Sequence, residues 1–154
     1  MDKGLVKNLI DGAIADNSEL FLVDFKISPD NKIYVEVDGD KGVTLKECIR
    51  ISRGIEHNLD RENEDFSLEV TTPDVSAPLK LERQYNKNLN RVLILRLVDG
   101  STIEGTLKKV NAAEIDLEWK AREPKPIGKG KITVVKRATV PLQDISEAKV
   151  KIIF

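Results

Sequence analysis

The stretch Lys125–Arg137, KPIGKGKITVVKR, places five cations within thirteen residues, around a Gly-Lys-Gly. Two chemistries could use it: a phosphate-binding loop, or an arm that follows a nucleic-acid backbone. A Walker-type loop needs four residues between its glycines, a Ser or Thr after the lysine, and a helix behind it. Here one residue separates Gly128 from Gly130, Ile132 follows Lys131, and the alternation Ile-Thr-Val-Val announces a strand. The nucleotide cradle fails. An arm needs glycines that let the backbone approach a phosphate, and Lys125, Lys129, Lys131, Lys136 and Arg137 would release its counterions. On a strand Lys136 and Arg137 point to opposite faces, so the cations need not share a side. A solvated hairpin whose lysines protect a strand edge from aggregation fits the same residues. Both readings stay open.

Other reactive residue types are scarce. His57 and Cys48 are the only histidine and cysteine, nine residues apart on one predicted helix. That is about two and a half turns, too far for joint ligation, so we expect no metal, cofactor or catalytic residue. Glu62, Glu64 and Asp65 lie in DRENED, between a predicted helix and a strand, where a solvated loop is the ordinary reading. Single-stranded RNA would call for aromatics among the cations. The basic half offers only Tyr85, Trp119 and Phe154, and Trp119 alternates with Leu117 and Ile115 as a core or rim residue would. Docking on phosphate and protein is therefore favoured over base readout.

These residues need elements to hold them. Leu5, Val6, Leu9, Ile10, Ala13 and Ile14 share a helical face behind a capping Asp2. Phe21, Val23, Phe25 and Ile27, then Ile33, Val35 and Val37, alternate as two strands around Ser28-Pro29-Asp30-Asn31. Thr44 with Glu47 spells a capping box for a second helix, its stripe running Leu45, Cys48, Ile49, Ser52, Ile55, Leu59. Phe66, Leu68 and Val70 form a third strand. After TTPDVSAPL, whose prolines suit neither a helix nor a central strand, and a short helical turn in LERQYNKNL, the pattern is all β. The Asp99-Gly100 turn, a bend at Gly105, a hairpin around a loop over 121–131 and a final strand in EAKVKII predict a small barrel. The fold class is α+β: an α-β-β-α-β domain over 1–79, then an Sm-like or SH3-like β-barrel over 80–154.

The chain of 154 residues is nearly neutral, yet charge divides. Residues 1–79 carry a net charge of −8 and residues 80–154 one of +7. Such asymmetry points to separate surfaces with separate partners. The single cysteine excludes an internal disulfide framework and fits a reducing compartment. No run reaches the roughly eighteen apolar residues of a membrane helix, and no signal-peptide core precedes the first helix. A cytoplasmic monomer that binds neither membrane nor DNA is expected.

The junction Val70-Thr71-Thr72-Pro73-Asp74-Val75-Ser76-Ala77-Pro78-Leu79 resembles the Val-Ser-Ser-Pro-Gly-hydrophobic-Asp-Arg-Pro-Leu segment of the ribosome maturation factor RimP family. Val70, Pro73, Pro78 and Leu79 match, and two threonines stand for serines. Asp74 replaces a glycine, and Ser76-Ala77 replaces an acid-arginine pair. Asp99-Gly100, Gly105-Thr106-Leu107 and Leu142-Gln143-Asp144-Ile145 extend the likeness, which covers nearly the full length. The resemblance implies a non-enzymatic factor that binds the immature small (30S) ribosomal subunit, touching rRNA and a ribosomal protein near the decoding region. It favours Lys125, Lys129, Lys131, Lys136 and Arg137 as docking residues, with Arg83, Lys87, Arg91, Lys108 and Lys109 as a second tier. Pro73, Pro78 and Leu79 mark the interdomain junction.

Overall fold

The computed structural model describes residues 1–152, so Phe154 and the end of the expected last strand lie outside the described residues. It divides into two compact units between Asp74 and Val75, inside the proline-bearing segment. Pro73 thus belongs to the first unit, and Pro78 and Leu79 to the second.

The first unit runs α1 (Lys3–Ala15), β1 (Leu20–Ile27), β2 (Lys32–Gly39), α2 (Leu45–Glu56) and β3 (Ser67–Thr71). Its sheet has the order β1-β2-β3, with β1 antiparallel and β3 parallel to β2. A parallel neighbour requires a crossover, and α2 supplies it. Val6, Ile10 and Ile14 of α1, Ile51 and Ile55 of α2, and Ile33, Val35 and Val37 of β2 close the core with Phe66. Asp2 caps α1 through hydrogen bonds from the Gly4 and Leu5 amides.

Three local expectations change. β1 bulges at Val23, between the register pairs Leu22↔Val37 and Asp24↔Glu36. The extra residue reverses the alternation, so Leu20 and Leu22 share the core with Phe25 and Ile27, while Phe21 does not join that cluster. On α2 the buried stripe is centred on Ile51 and Ile55, and Leu45 and Ile49 are exposed. The capping box is half made. The Thr44 hydroxyl accepts from the Glu47 amide at 3.2 Å, but the Glu47 carboxylate takes a hydrogen bond from Arg50 at 2.9 Å instead of turning back. A charged guanidinium is the stronger donor.

The second unit places α3 (Glu82–Lys87) before β4 (Val92–Leu97), β5 (Thr102–Val110), β6 (Glu114–Pro124), β7 (Lys131–Pro141) and β8 (Ile145–Val150), with a 3-10 turn at Leu142–Asp144. The sheet order is β7-β6-β5-β4-β8. β7 pairs with β6 and β8 with β4, so the sheet is open where a closed barrel was expected. Its core gathers Leu93, Leu95, Leu107, Ile115, Leu117, Val140 and Ala148, with Tyr85 of α3. Leu79 joins it, its amide donating to the Ala148 carbonyl at 2.8 Å. Gly100 takes the left-handed conformation (φ 89°) that the Asp99-Gly100 turn requires.

Gln84 ties α3 down. It is 2 % exposed, and its Oε1 accepts from the amides of Lys80 at 2.8 Å and Leu81 at 3.1 Å. Replacing Gln84 by Leu keeps the bulk but leaves both amides without that acceptor. A loss of about 1–3 kcal/mol is expected, read as a lower urea midpoint at unchanged slope. An unaltered midpoint would mean that water serves these amides equally well.

Candidate nucleic-acid interface

The cationic stretch forms the outer half of a long hairpin. β6 and β7 pair at eleven positions, from Glu114↔Pro141 to Pro124↔Lys131. β5 accompanies β6 only between Ile115 and Glu118. From Trp119 to Pro124, β7 is the only strand beside β6 among the described residues, so a two-stranded arm extends about 20 Å past the sheet at ~3.3 Å per residue. The loop expected over 121–131 is therefore ladder at residues 121–124 and 131, and six residues, Lys125–Gly130, make the turn. The Lys125 amide closes it by donating to the Gly130 carbonyl at 3.1 Å. Gly128 and Gly130 hold φ of 88° and 94°, a region that L side chains rarely adopt.

The root of the arm is a close fit. A Cβ on Gly105 would lie 3.2 Å from the Glu118 carbonyl oxygen and 3.2 Å from Cε3 of Trp119. Glycine lets β5 pass under the indole at the position where β6 leaves its neighbour. Trp119 packs against the core, so it is a structural aromatic, not a free stacking platform.

Opposed residues share a face, which sorts the cations. Lys120, Arg122, Lys131 and Arg137 lie on one face, with Thr133 and Val135 between them. Lys136 lies on the other, continuing the side of Ala138 and Val140. Arg137 pairs with Glu118 at 3.1 Å, and Lys136 pairs with Glu123. These two are held by their own hairpin. Lys125, Lys129 and Lys131 are exposed and, among the described residues, meet no carboxylate. Among the described residues, Arg122 bonds only to the Thr133 hydroxyl, at 3.1 Å. Lys120 and Arg122 escaped the sequence reading, and the signal for them was the cross-strand register.

The second tier divides. A bulge between Leu107 and Lys109 turns both Lys108 and Lys109 outward beside the root of the arm. With Asp116, Leu117, Glu118 and Arg137 they line a groove of about 310 Å3. Arg91 is exposed next to them, its carbonyl accepting from the Leu107 amide at 2.9 Å. Arg83 and Lys87 stand on α3, half-buried, and are not part of the arm.

Curated relatives match most or all of the chain. The chain is 51% identical to a ribosome maturation factor RimP of Christiangramia forsetii over 154 residues, all of both chains. The chain belongs to the RimP family. Residues 9–75 match the RimP N-terminal domain model. A Flavobacterium psychrophilum protein of the same name is 49% identical over 152 residues, covering 99% of this chain and 98% of its own. A Porphyromonas gingivalis relative is 39% identical over 131 residues, 84% of this chain and 86% of its own.

Elsewhere this RimP-family chain holds little reactive chemistry. His57 is exposed at the C-cap of α2, and burial beside the Glu47 charge raises the Cys48 thiol above its ordinary value. No group of three or more His, Cys, Asp or Glu suited to a metal occurs among the described residues. No helix of the described residues is long and apolar enough to cross a membrane.

Two measurements test this geometry. Gly105→Val drives side-chain atoms into the Glu118 backbone and the indole, so a loss of about 1–3 kcal/mol is expected. The fluorescence of the lone tryptophan should shift red; a wild-type spectrum and midpoint would show that the crossing is loose. The second concerns the two tyrosines. The hydrogen bond from Tyr34 to Glu36, then burial and the charges of Glu36, Glu69 and Asp24, push the Tyr34 phenol up to about 12. Burial raises Tyr85. Both folded values exceed the ordinary value of about 10, so the unfolded chain loses these protons first. The stabilisation is whole below about pH 10 and fades as pH rises through about 12. Tyrosinate absorbance should therefore rise later in the native protein than in urea, and coincident curves would refute the Tyr34–Glu36 bond.

Proposed function

We propose that this protein is a cytoplasmic, non-catalytic ribosome maturation factor that binds the immature small (30S) subunit and promotes its late maturation. The observation that carries the reading is the set of exposed cations on the second unit that meet no carboxylate among the described residues, Lys125, Lys129 and Lys131 above all, in a chain aligned throughout with named ribosome maturation factors. An unpaired cation retains the full counterion-release gain on meeting a phosphate, whereas Lys136 and Arg137 must first leave Glu123 and Glu118. The five docking residues therefore contribute unequally.

The second unit acts as an open five-stranded sheet of the Sm-like kind, with Val140 near the end of β7 and Ala148 of β8, from the two edge strands, meeting in one core. The first unit, with its excess of acid, faces solvent or a basic ribosomal protein near the decoding region. Pro73 and Pro78 fix two backbone angles in the segment between them. Binding as a monomer, the factor holds one arrangement of rRNA and protein and leaves when later contacts displace it. It shifts assembly only by its differential affinity for the two states.

Sedimentation tests this reading. The protein should travel with immature small subunits at physiological salt, in preference to mature ones, and cells lacking it should accumulate the immature particle. Equal recovery on free transcripts would instead describe a general RNA-binding module, and recovery at the top of the gradient would end the proposal.

A further inference from the structure

We infer that the β6–β7 arm is a clamp for the backbone of paired RNA, with Ile127 as an apolar tip resting on the floor of the groove. The ribosomal origin of that RNA rests on the reading above; the binding mode does not. Residues 118–137 hold seven cations and two acids, a net of +5. Both acids, Glu123 and Glu118, are already engaged, by Lys136 and Arg137. A polyanion with regularly spaced charge is the partner such a surface complements.

The tip has a particular shape. Ile127 is 90% exposed, the most exposed large hydrophobic among the described residues. It stands between Pro126 and Gly128, flanked by Lys125 and Lys129, and Gly128 and Gly130 leave the backbone around it bare. One apolar side chain flanked by two cations gives too little apolar surface for a stable protein contact, where a buried cluster is needed. It suits a narrow apolar contact bordered by phosphates, as apolar side chains do in nucleic-acid grooves. Paired RNA is favoured over single strands because the arm's one aromatic, Trp119, is committed to its root. The wide, shallow minor groove of A-form RNA admits a two-stranded ribbon, with Lys120, Arg122 and Lys131 turned to one bordering backbone.

The test uses the full chain and a blunt RNA duplex of sixteen base pairs, against one of its single strands. The wild type should prefer the duplex. Lys125, Lys129 and Lys131 changed together to Gln should weaken duplex binding at least tenfold. The slope of log affinity against log salt should fall by about 2–3. Ile127→Ser should weaken binding about three- to tenfold at unchanged slope. Among the described residues none of the four side chains has an ion pair or core contact, so thermal midpoints should hold. Equal binding of duplex and single strand, or a triple variant that binds normally, overturns the inference. Aggregation of a triple variant that still binds would reduce the lysines to edge protection. A photo-crosslinker at position 127 that captures only protein on the particle overturns it as well. Duplex binding without particle sedimentation would end the ribosomal reading while leaving the clamp standing.

Discussion

The departure of β6 from β5 at Trp119 is the constraint on which the second unit depends. Up to Glu118 the strand is interior, flanked on both sides, and its inward residues Ile115 and Leu117 are fully buried. Beyond that position only β7, among the described residues, satisfies its backbone. A two-stranded ribbon is marginal in water alone, so its order must come from its root and its length. The indole over Gly105 supplies the root, and eleven continuous pairs supply the length. The turn glycines then close the end without strain. Remove the root and the cations lose their fixed spacing, although each is still present.

Charge follows the same division. Within the arm the acids Glu118 and Glu123 are spent on Arg137 and Lys136, which orders the hairpin's inner part and leaves its end cationic. Exposed pairs of this kind contribute little stability. Their larger effect is on availability: two of the five cations in the quoted stretch are occupied, while Lys125, Lys129 and Lys131 are not. Lys120 and Arg122 join the unoccupied set from across the ladder.

Much of this was legible in the amino-acid order. The strand containing Ile33, Val35 and Val37, the Asp99-Gly100 turn and the cap at Asp2 each rest on local chemistry that tertiary packing did not override. The errors have physical causes. Alternation in LFLVDFKI conceals the bulge at Val23, because one inserted residue changes face without changing composition. The stripe on α2 was read a residue or two off Ile51, since Leu45 and Ile49 are as apolar as the residues that are buried. Barrel closure was inferred from strand count, but closure requires a pairing between the edges β7 and β8 that a list of strands does not contain. The β7 side of the arm was read as a strand, but residues 121–124 were taken for part of the Pro-Gly-rich loop; Pro124 is tolerated as the last pair of its ladder. Lys120 and Arg122 could be assigned only once the register showed which residues lie opposite Val135 and Thr133.

The parallel pair β2–β3 carries a consequence for how the chain comes into being. Lys32 lies beside Ser67 and Glu36 beside Thr71, partners thirty-five residues apart, while β1 meets β2 through a short turn. During synthesis the first hairpin can zip as soon as it emerges, but the far side of β2 stays bare until α2 and β3 follow. For that interval Ile33, Val35 and Val37 sit on an open edge of the kind that recruits stray strands. The first unit is therefore most vulnerable to aggregation at the moment its chain is only half translated.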